Sequence, residues 1–212
     1  MIIAIDGPAA SGKGTIARRI AENYGFHYLD TGLLYRAVAF ELIRNGENVE
    51  DTEAAERIAG RLSSDILDDP GLRDPGVGEA ASIVASMASV RNLLLNYQQE
   101  FSRQPPGAVL DGRDIATVVC PGADVKLFIT ATLEERARRR HLQLAQSNPD
   151  LTYPQVFELL EKRDLRDTSR AIAPLEKSGD AHLLETTNLS IEAVYKAAVE
   201  IIDAAFPIQN DS

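Results

Sequence analysis

The residues best suited to chemistry lie near the start of the chain, in the glycine-rich stretch GPAASGKGT at residues 7–15. An apolar run at residues 2–5 precedes it, and residues 16–22 carry isoleucine and alanine at helical spacing. This pattern predicts a strand, a loop and a helix in that order. Glycines let such a loop wrap closely around a phosphate with its backbone N–H groups pointing inward, and the positive end of the helix adds to the attraction. The stretch therefore predicts a polyphosphate-binding P-loop.

Two side chains of this loop suit the transfer of a phosphoryl group. Lys13 places a positive charge within reach of the β and γ phosphates of a nucleoside triphosphate, where charge shifts during transfer. In most such loops a serine or threonine that contacts Mg²⁺ follows the lysine directly. Here Gly14 intervenes, so Thr15, which we predict as a magnesium ligand, presents its hydroxyl one residue later. A glycine-rich turn without a ligand is the alternative, and the agreement of glycines, lysine, hydroxyl and flanking pattern disfavours it.

Acidic residues follow two further predicted strands. Residues 108–110 are apolar and lead into Asp111, and the β-prone run at residues 26–29 leads into Asp30 and Thr31. A short buried strand that ends in an aspartate, downstream of a P-loop, is typical of the carboxylate that organises Mg²⁺ in P-loop enzymes. We therefore predict that Asp111 acts on Mg²⁺ through water. Thr31 is a candidate N-cap of the helix that follows it.

Arginine supplies 17 of the 22 basic residues, and its guanidinium suits bidentate contacts to phosphate. In a predicted helix at residues 153–170, four charged side chains recur at i, i+3, i+4 and i+7 and share one face: Arg163, Arg166, Asp167 and Arg170. Such a face is either solvated, with Arg163 paired to Asp167, or part of a mobile lid that closes over transferring phosphates. The P-loop favours the lid, because transition-state charge must be neutralised and water excluded.

The elements that must position these groups alternate between strand and helix. Strands are predicted at residues 2–5, 26–29, 108–111, 125–129 and 182–186. Helices are predicted at residues 16–22, 33–44, 52–62, 79–101, 134–146, 153–170 and 191–206, with a polar loop at 65–78. The alternation predicts an α/β fold of the P-loop NTPase type, with three α/β/α layers around a five-stranded parallel sheet. Because ligands of such folds bind at the carboxyl ends of the strands, we expect the acidic strand ends and the P-loop to converge on one crevice.

The composition narrows the class of protein. The net charge of −10 over 212 residues argues against non-specific binding to nucleic acid or acidic membranes. Cys120 is the only cysteine, and the three histidines have no metal-ligand spacing. The first apolar run stops at Asp6, too short for a membrane span, and no basic segment precedes it as in a signal peptide. We therefore expect a cytoplasmic protein without nucleic-acid or membrane partners, and we expect it to be a monomer.

Five stretches together resemble the bacterial-type cytidylate kinase family. They are IDGPAASGKGT, LDTGLLYR, EAASIVASMASVR, LDGRDIATVV and RDLRDTSRAIAPL, and they run along nearly the whole chain. The last two are far more specific than the P-loop, which many phosphotransferases share. Many relatives carry a longer, strand-rich insertion before the serine-bearing helix, where this chain has only the loop at residues 65–78. The resemblance implies transfer of the γ-phosphate of ATP to CMP, and to dCMP, with Mg²⁺ as cofactor.

The resemblance also implies a role for each matching residue. The ATP-binding residues would be Gly7, Pro8, Ala9, Ala10, Ser11, Gly12, Lys13, Gly14 and Thr15. The phosphate of CMP would lie among Thr31, Arg36, Arg113 and Arg170. The cytosine ring would be read by Ser82, Arg91 and Asp114, and the ribose would lie near Arg163 and Asp167. The residues expected to stabilise the migrating phosphoryl group are Lys13, Arg113, Arg163 and Arg170.

The same resemblance divides the single kinase domain, residues 1–212, into parts. Residues 1–30, 105–145 and 171–212 would form the core, residues 31–104 a helical monophosphate-binding subdomain, and residues 146–170 a short lid. The arginines at residues 136–140 either supplement this lid or face solvent.

Two rival functions remain open at this point. The first is another small P-loop kinase that acts on UMP, AMP or shikimate. The pattern at Ser82, Arg91 and Asp114 favours cytosine, because its amine is a donor and its N3 and O2 are acceptors, whereas uracil would leave mismatched buried partners.

The second rival is a nucleotide-binding sensor without transfer activity. The sequence lacks the guanine-reading Asn-Lys-x-Asp stretch, which argues against a GTPase switch.

Overall fold

The computed structural model describes residues 1–145 and 148–206. Its strands are β1 (Ile2–Asp6), β2 (His27–Asp30), β3 (Ala108–Gly112), β4 (Val125–Thr130) and β5 (His182–Glu185). The α-helices in these ranges are α1 (Lys13–Tyr24), α2 (Thr31–Arg44), α3 (Thr52–Ala59), α4 (Pro75–Val84), α5 (Ala88–Ser102), α6 (Leu133–Leu144), α7 (Tyr153–Ser169) and α8 (Ile191–Ala205). The predicted α/β fold with a five-stranded parallel sheet is therefore confirmed.

The sheet brings the acidic strand ends to one edge. All four strand pairs are parallel, and the order is β2-β3-β1-β4-β5. In this register Asp30 lies opposite Asp111, and Asp6 lies opposite Gly112. Because parallel strands share a direction, their carboxyl ends and the loops that follow them form one crevice.

Both faces of the sheet are buried, as expected of a parallel sheet. Successive residues of a strand point to opposite faces, so Ile3 and Ile5 pack with α1 and α8 while Ala4 packs on the other side. That other side is closed by α5 and by a short π-helical segment, Ile115–Val119, which the sequence patterns did not predict.

Two further apolar clusters lie outside the sheet. The first draws its buried members from α2, α3, α4 and α5, between Leu34 and Leu94. The second joins α6 and α7 and includes Ala9 of the P-loop. None of the helices formed by the described residues is both long enough and apolar enough to cross a membrane.

Three local predictions were wrong. The helix expected at residues 79–101 is two helices, because the chain is extended at Met87, between α4 and α5. The loop expected at residues 65–78 contains two 3₁₀ turns, Ser64–Asp68 and Pro70–Arg73, and the start of α4. The N-cap of α2 is Asp30, whose carboxylate accepts a hydrogen bond from the Gly32 N–H at 3.0 Å, and not Thr31. The predicted helix end at residue 146, and residues 146–147 of the expected lid, lie outside the described residues.

Candidate active site

The P-loop has the backbone geometry that a phosphate cradle needs. Gly7 has φ of 153°, and a Cβ there would lie 2.0 Å from the Ile129 carbonyl oxygen of β4, so only glycine fits. Gly12 has φ of 91° at the N-cap of α1, and Ala10 has φ of 60°. Left-handed backbone at a non-glycine residue is strained and occurs mostly at functional sites. These turns place the loop at the positive end of α1, where an anion is stabilised.

A cavity of about 660 Å³ opens between this loop and the arginines of other segments. One wall is formed by residues 9–15 of the P-loop. The other lining residues include Arg36 from α2, Arg113 from the loop after β3, Arg163 from α7 and Asp30 at the end of β2. The predicted convergence of the P-loop with the ends of β2 and β3 on one crevice is therefore confirmed.

Lys13, which lines the cavity, and the buried Asp111 influence each other's pKa. Burial and the nearby Arg113 together lower the pKa of Lys13 to about 8, while Asp111 and Asp30 oppose the shift. Burial and the neighbouring Asp30 raise the pKa of Asp111 to about 7, against the opposing effect of Lys13. A polyphosphate or a cation bound here would strengthen the charged form of one of these two groups.

The geometry explains why Gly14 separates the lysine from the hydroxyl. A Cβ on Gly14 would lie 3.0 Å from the Asp111 Oδ2 and 3.6 Å from the Tyr28 hydroxyl oxygen. Tyr28 donates its hydroxyl to the same carboxylate oxygen at 3.3 Å. A serine or threonine at this position would crowd this pair, whereas Thr15 is exposed at the cavity wall.

Asp167 joins three segments that the sequence places far apart. Its carboxylate accepts hydrogen bonds from the Ser82 hydroxyl at 3.0 Å and from the Arg113 Nε at 2.9 Å. The Arg163 Nε lies 3.9 Å away as a longer ion pair. Burial opposes ionisation, but Arg113 and Arg163 hold the pKa of Asp167 below its ordinary value. The carboxylate thus orders two of the arginines that line the cavity.

Asp114 organises a second buried group behind the first. The Arg91 Nη2 donates to its Oδ2, and the Arg170 Nη2 lies 3.5 Å from its Oδ1. Arg91 also donates to the Ala85 carbonyl at 3.2 Å, in the break between α4 and α5. Arg91 and Asp114 are 7% and 5% exposed, so their polar atoms are shielded from solvent. The break that the helix pattern missed therefore supplies a fixed acceptor to one of the predicted substrate residues.

The arginines of the cavity repel one another and favour an anion between them. Burial and the neighbouring Arg113 together lower the pKa of Arg163 to about 9. Burial and Arg140 lower the pKa of Arg36 in the same way. The shielded Nε of Arg163 has no hydrogen-bond partner in the described structure. A bound phosphate would relieve both the repulsion and the missing hydrogen bond.

The predicted site residues therefore fall into three sets. Residues 9–15, Arg36, Arg113 and Arg163 line the cavity. The remaining predicted residues of the P-loop, Gly7 and Pro8, lie buried at its base. Outside the cavity lining, close to Arg113 or to the acids behind it, lie Thr31, Ser82, Arg91, Asp114, Asp167 and Arg170. The Thr31 hydroxyl donates to the Asp111 backbone carbonyl at 2.8 Å, so it fixes the end of β3.

One acid beside the site, Asp6, was not singled out from the sequence, whereas Asp30 was expected at the crevice as the end of a predicted strand. Asp6 accepts hydrogen bonds from the backbone N–H groups of Ile115 and Ala116, each at 2.8 Å, and so fixes the loop that carries Arg113. Burial raises the pKa of Asp6 to about 6. Asp30 caps α2 and lines the cavity. Asp6 follows an apolar run, so the signal that pointed to Asp111 was present for it too.

Fold and site together define a P-loop phosphotransferase: a phosphate cradle follows β1, the central strand of a parallel sheet, and arginines from other segments line the same cavity. The chain belongs to the cytidylate kinase family, whose model matches residues 3–204. This family membership makes it a nucleoside monophosphate kinase and confirms the family predicted from its motifs.

Individual relatives support the same assignment along the whole chain. The cytidylate kinase of Methylocella silvestris is 52% identical over 205 residues, covering 97% of this chain and 95% of that protein. The cytidylate kinase of Rhizobium meliloti (strain 1021) is 52% identical over 204 residues, covering 96% of each. An uncharacterized protein from Eubacterium ventriosum superposes with a TM-score of 0.58 at 12% identity, over 96% of this chain and 99% of that one, which shows a shared fold.

Proposed function

We propose that this protein transfers the γ-phosphate of ATP to CMP, and also to dCMP, giving ADP and CDP or dCDP. The observation that carries this proposal is the single cavity between the P-loop and three arginines, Arg36, Arg113 and Arg163. The P-loop suits a triphosphate, and the arginines suit a second anion opposite it. Two anions held face to face in one shielded crevice favour in-line transfer between them.

In the proposed reaction, a phosphate oxygen of CMP forms a bond to the γ-phosphorus while the bond from that phosphorus to the β–γ bridging oxygen breaks. The acceptor oxygen is already ionised near neutral pH, so it needs alignment more than a general base. The residues proposed to offset the charge of the migrating group are Lys13, Arg113, Arg163 and Arg170. Arg113 and Arg163 are held for this task by Asp167, and Arg170 lies beside Asp114.

The proposed acceptor site combines phosphate and base recognition. Thr31, Arg36, Arg113 and Arg170 would surround the phosphate, and Arg163 with Asp167 would lie near the ribose. Arg91 and Asp114 place a guanidinium beside a carboxylate. That pair, with Ser82, matches the acceptor and donor atoms along the edge of cytosine. Uracil would turn its O4 toward the Asp114 carboxylate and leave two acceptors facing each other.

Mg²⁺ fits two residues of the site, the exposed Thr15 at the cavity wall and the buried Asp111. The Thr15 hydroxyl and the Asp111 carboxylate supply the oxygen atoms that this ion prefers. Within the described ranges, no group of three or more His, Cys, Asp or Glu side chains could hold a metal ion. We therefore propose that the nucleotide supplies most of its ligands, with Thr15 bound directly and Asp111 through water. When bound, Mg²⁺ would supply positive charge that offsets the charge of the donor phosphates during transfer.

We also propose the division into a core, a monophosphate-binding subdomain at residues 31–104 and a lid at residues 146–170. The separate apolar cluster of α2 to α5 and the cluster that joins α6 to α7 support it. We further propose a cytoplasmic monomer that does not bind nucleic acid.

An acceptor panel tests the function directly. The protein is incubated with Mg-ATP and, separately, CMP, dCMP, UMP, AMP or shikimate, and ADP release is measured. We expect stimulation by CMP and dCMP well above that by the other acceptors. Stimulation by another acceptor alone would assign a different kinase activity, and binding of ATP without turnover of any acceptor would indicate a sensor.

A further inference from the structure

Arg136, on α6, has a role that its neighbours do not share. Arg138, Arg139 and Arg140 line the cavity, whereas Arg136 does not and is only 5% exposed. All three of its nitrogen groups are engaged. Its Nε donates to the Ala131 carbonyl at 2.9 Å and its Nη1 to the Ala9 carbonyl at 3.2 Å, and its Nη2 lies 2.6 Å from the Asp164 Oδ2.

The contact with Ala9 fixes one peptide group of the P-loop. In a planar trans peptide, the C=O and the following N–H point in opposite directions. A carbonyl of Ala9 held by Arg136 therefore sets the direction of the Ala10 N–H. Ala10 lines the cavity and has φ of 60°, a strained conformation that persists only where surrounding contacts enforce it. Arg136 is such a contact.

The contact with Asp164 fixes the helix on the acceptor side. Asp164 directly follows Arg163 on α7, the helix that also carries Asp167. The pair lies beside the apolar cluster that includes Ala9, Ala137 and Leu160. A fork of guanidinium donors holds a fixed geometry better than a point charge does. Removing one partner of a shielded ion pair leaves the other charge uncompensated.

We propose that Arg136 is a positioning residue that ties the P-loop to α7, so that the donor phosphates and Arg163 are held in register. This inference rests on the proposed function, because it assigns the two ends of the contact to donor and acceptor. Arg136, a side chain outside the cavity, thus controls the geometry on both sides of the cavity. Asp164 serves the acceptor end, and the Ala9 carbonyl serves the donor end.

Three variants separate these two ends: R136M, R136K and D164N. R136M loses both contacts, R136K keeps a charge near Asp164 but cannot span both carbonyls, and D164N keeps the contact with Ala9. ATP affinity is measured by calorimetry without CMP, and kcat and the KM for CMP are measured at saturating ATP. R57M is the matched control, because Arg57 forms an exposed 2.7 Å ion pair with Glu47.

We expect R136M to lower kcat by on the order of 100-fold, because small displacements of aligned groups cost about that much. It should also weaken ATP binding by about tenfold, since it frees the Ala9 carbonyl that orients one N–H donor. D164N should lower kcat by about tenfold with ATP affinity within about threefold of wild type. R136K should weaken ATP binding more than D164N does. The R136M/D164N double variant should lose little more than R136M alone, because both changes break the same link.

Thermal unfolding gives the folded fraction by which each rate is corrected. Corrected kinetics and ATP affinity of R136M that match those of R57M would overturn the proposal and assign Arg136 a purely structural role. If R136M does not fold, R136K and D164N decide: equal effects of both on ATP affinity would also overturn it. If the wild type does not turn over CMP, the proposed function fails, and the calorimetric comparison still tests the hold of Arg136 on the P-loop.

Discussion

The two sides of the crevice are built in different ways. The side proposed to bind the donor is mostly backbone: one continuous stretch, residues 7–15, runs from the end of β1 into the first turn of α1. The acceptor side is mostly side chains, which come from α2, α4, α5, the loop after β3 and α7. On the donor side a residue matters for the conformation it permits. On the acceptor side it matters for the atoms it carries and for the partner that holds it.

This difference separates the effects of mutation on the two sides. A backbone cradle is broken by anything that changes its dihedral angles, including a single methyl group. A side-chain site tolerates changes in one contact when a second partner remains, as Asp114 has both Arg91 and Arg170. We therefore expect donor-side changes to alter folding and binding together, and acceptor-side changes to alter catalysis more than folding.

The largest effect is expected for Gly7→Ala. A methyl group there would lie 2.0 Å from the Ile129 carbonyl oxygen, at a φ that side chains rarely adopt. The P-loop must shift away from β4, so we expect ATP binding below detection by calorimetry and destabilisation of about 3 kcal/mol or more in urea unfolding. Gly179→Ala is the control, because its Cβ would meet no atom within 4 Å. Normal ATP binding by Gly7→Ala would show that the cradle does not depend on this backbone.

On the acceptor side, Arg170→Ala should lower kcat much more than it lowers folding stability. Arg170 lies 3.5 Å from Asp114, but Asp114 keeps Arg91 when Arg170 is removed. We expect kcat to fall by roughly 100- to 1,000-fold, as for other groups that stabilise transition-state charge, with a stability loss of about 1 kcal/mol. Steady-state kinetics and urea unfolding measure both, with Arg44→Ala, an exposed partner of Glu41, as control. A stability loss large enough to account for the lost rate would indicate a structural role.

The pH dependence of kcat/KM for ATP should report on Lys13, on the donor side. The pKa of Lys13 is lowered to about 8, so the free enzyme loses this charge as the pH rises through that value. Bound ATP stabilises the charged form, so kcat/KM for ATP should fall about tenfold per pH unit above 8 while kcat at saturating ATP changes less. The sign follows from the shift: the lowered pKa means that the charge is complete only below pH 8. Lys13→Arg should remove this alkaline limb, and its persistence in that variant would assign the titration elsewhere.

The same contrast explains how much the sequence could predict. The strand, the glycine loop and the helix that form the proposed donor side were predicted, because they are adjacent in the chain and each follows a local rule. The five strands were found for the same reason, and the acid at the end of β3 was found from its position. Roles on the acceptor side came from motif resemblance, because the partners are distant: Ser82 and Asp167 are 85 positions apart.

Two features had no local signal. The break between α4 and α5 falls in a run of alanine, serine and methionine that is compatible with a continuous helix. The Arg91 hydrogen bond to the Ala85 carbonyl spans the break, and Arg91 is itself held by Asp114 from the loop after β3. Arg136 likewise looks like any arginine of a charged helix, and its partner Ala9 is 127 positions away. Spacing within one helix cannot indicate a contact of that kind.

The smallest effect is expected for Gly78→Ala in α4. This change separates the effect on folding from the effect on binding most clearly. A Cβ on Gly78 would lie 2.7 Å from the Arg36 Nη2, whose guanidinium also donates to the Leu72 carbonyl at 2.7 Å. Gly78→Ala should raise helix stability by up to about 1 kcal/mol, yet it must displace Arg36 and raise the KM for CMP by about three- to tenfold. Gly76→Ala on the same helix meets no atom within 4 Å, so it should share the stability gain and keep the wild-type KM. Equal KM values for the two variants would mean that the position of Arg36 does not govern acceptor binding, and the acceptor side would then be less dependent on side-chain placement than we infer.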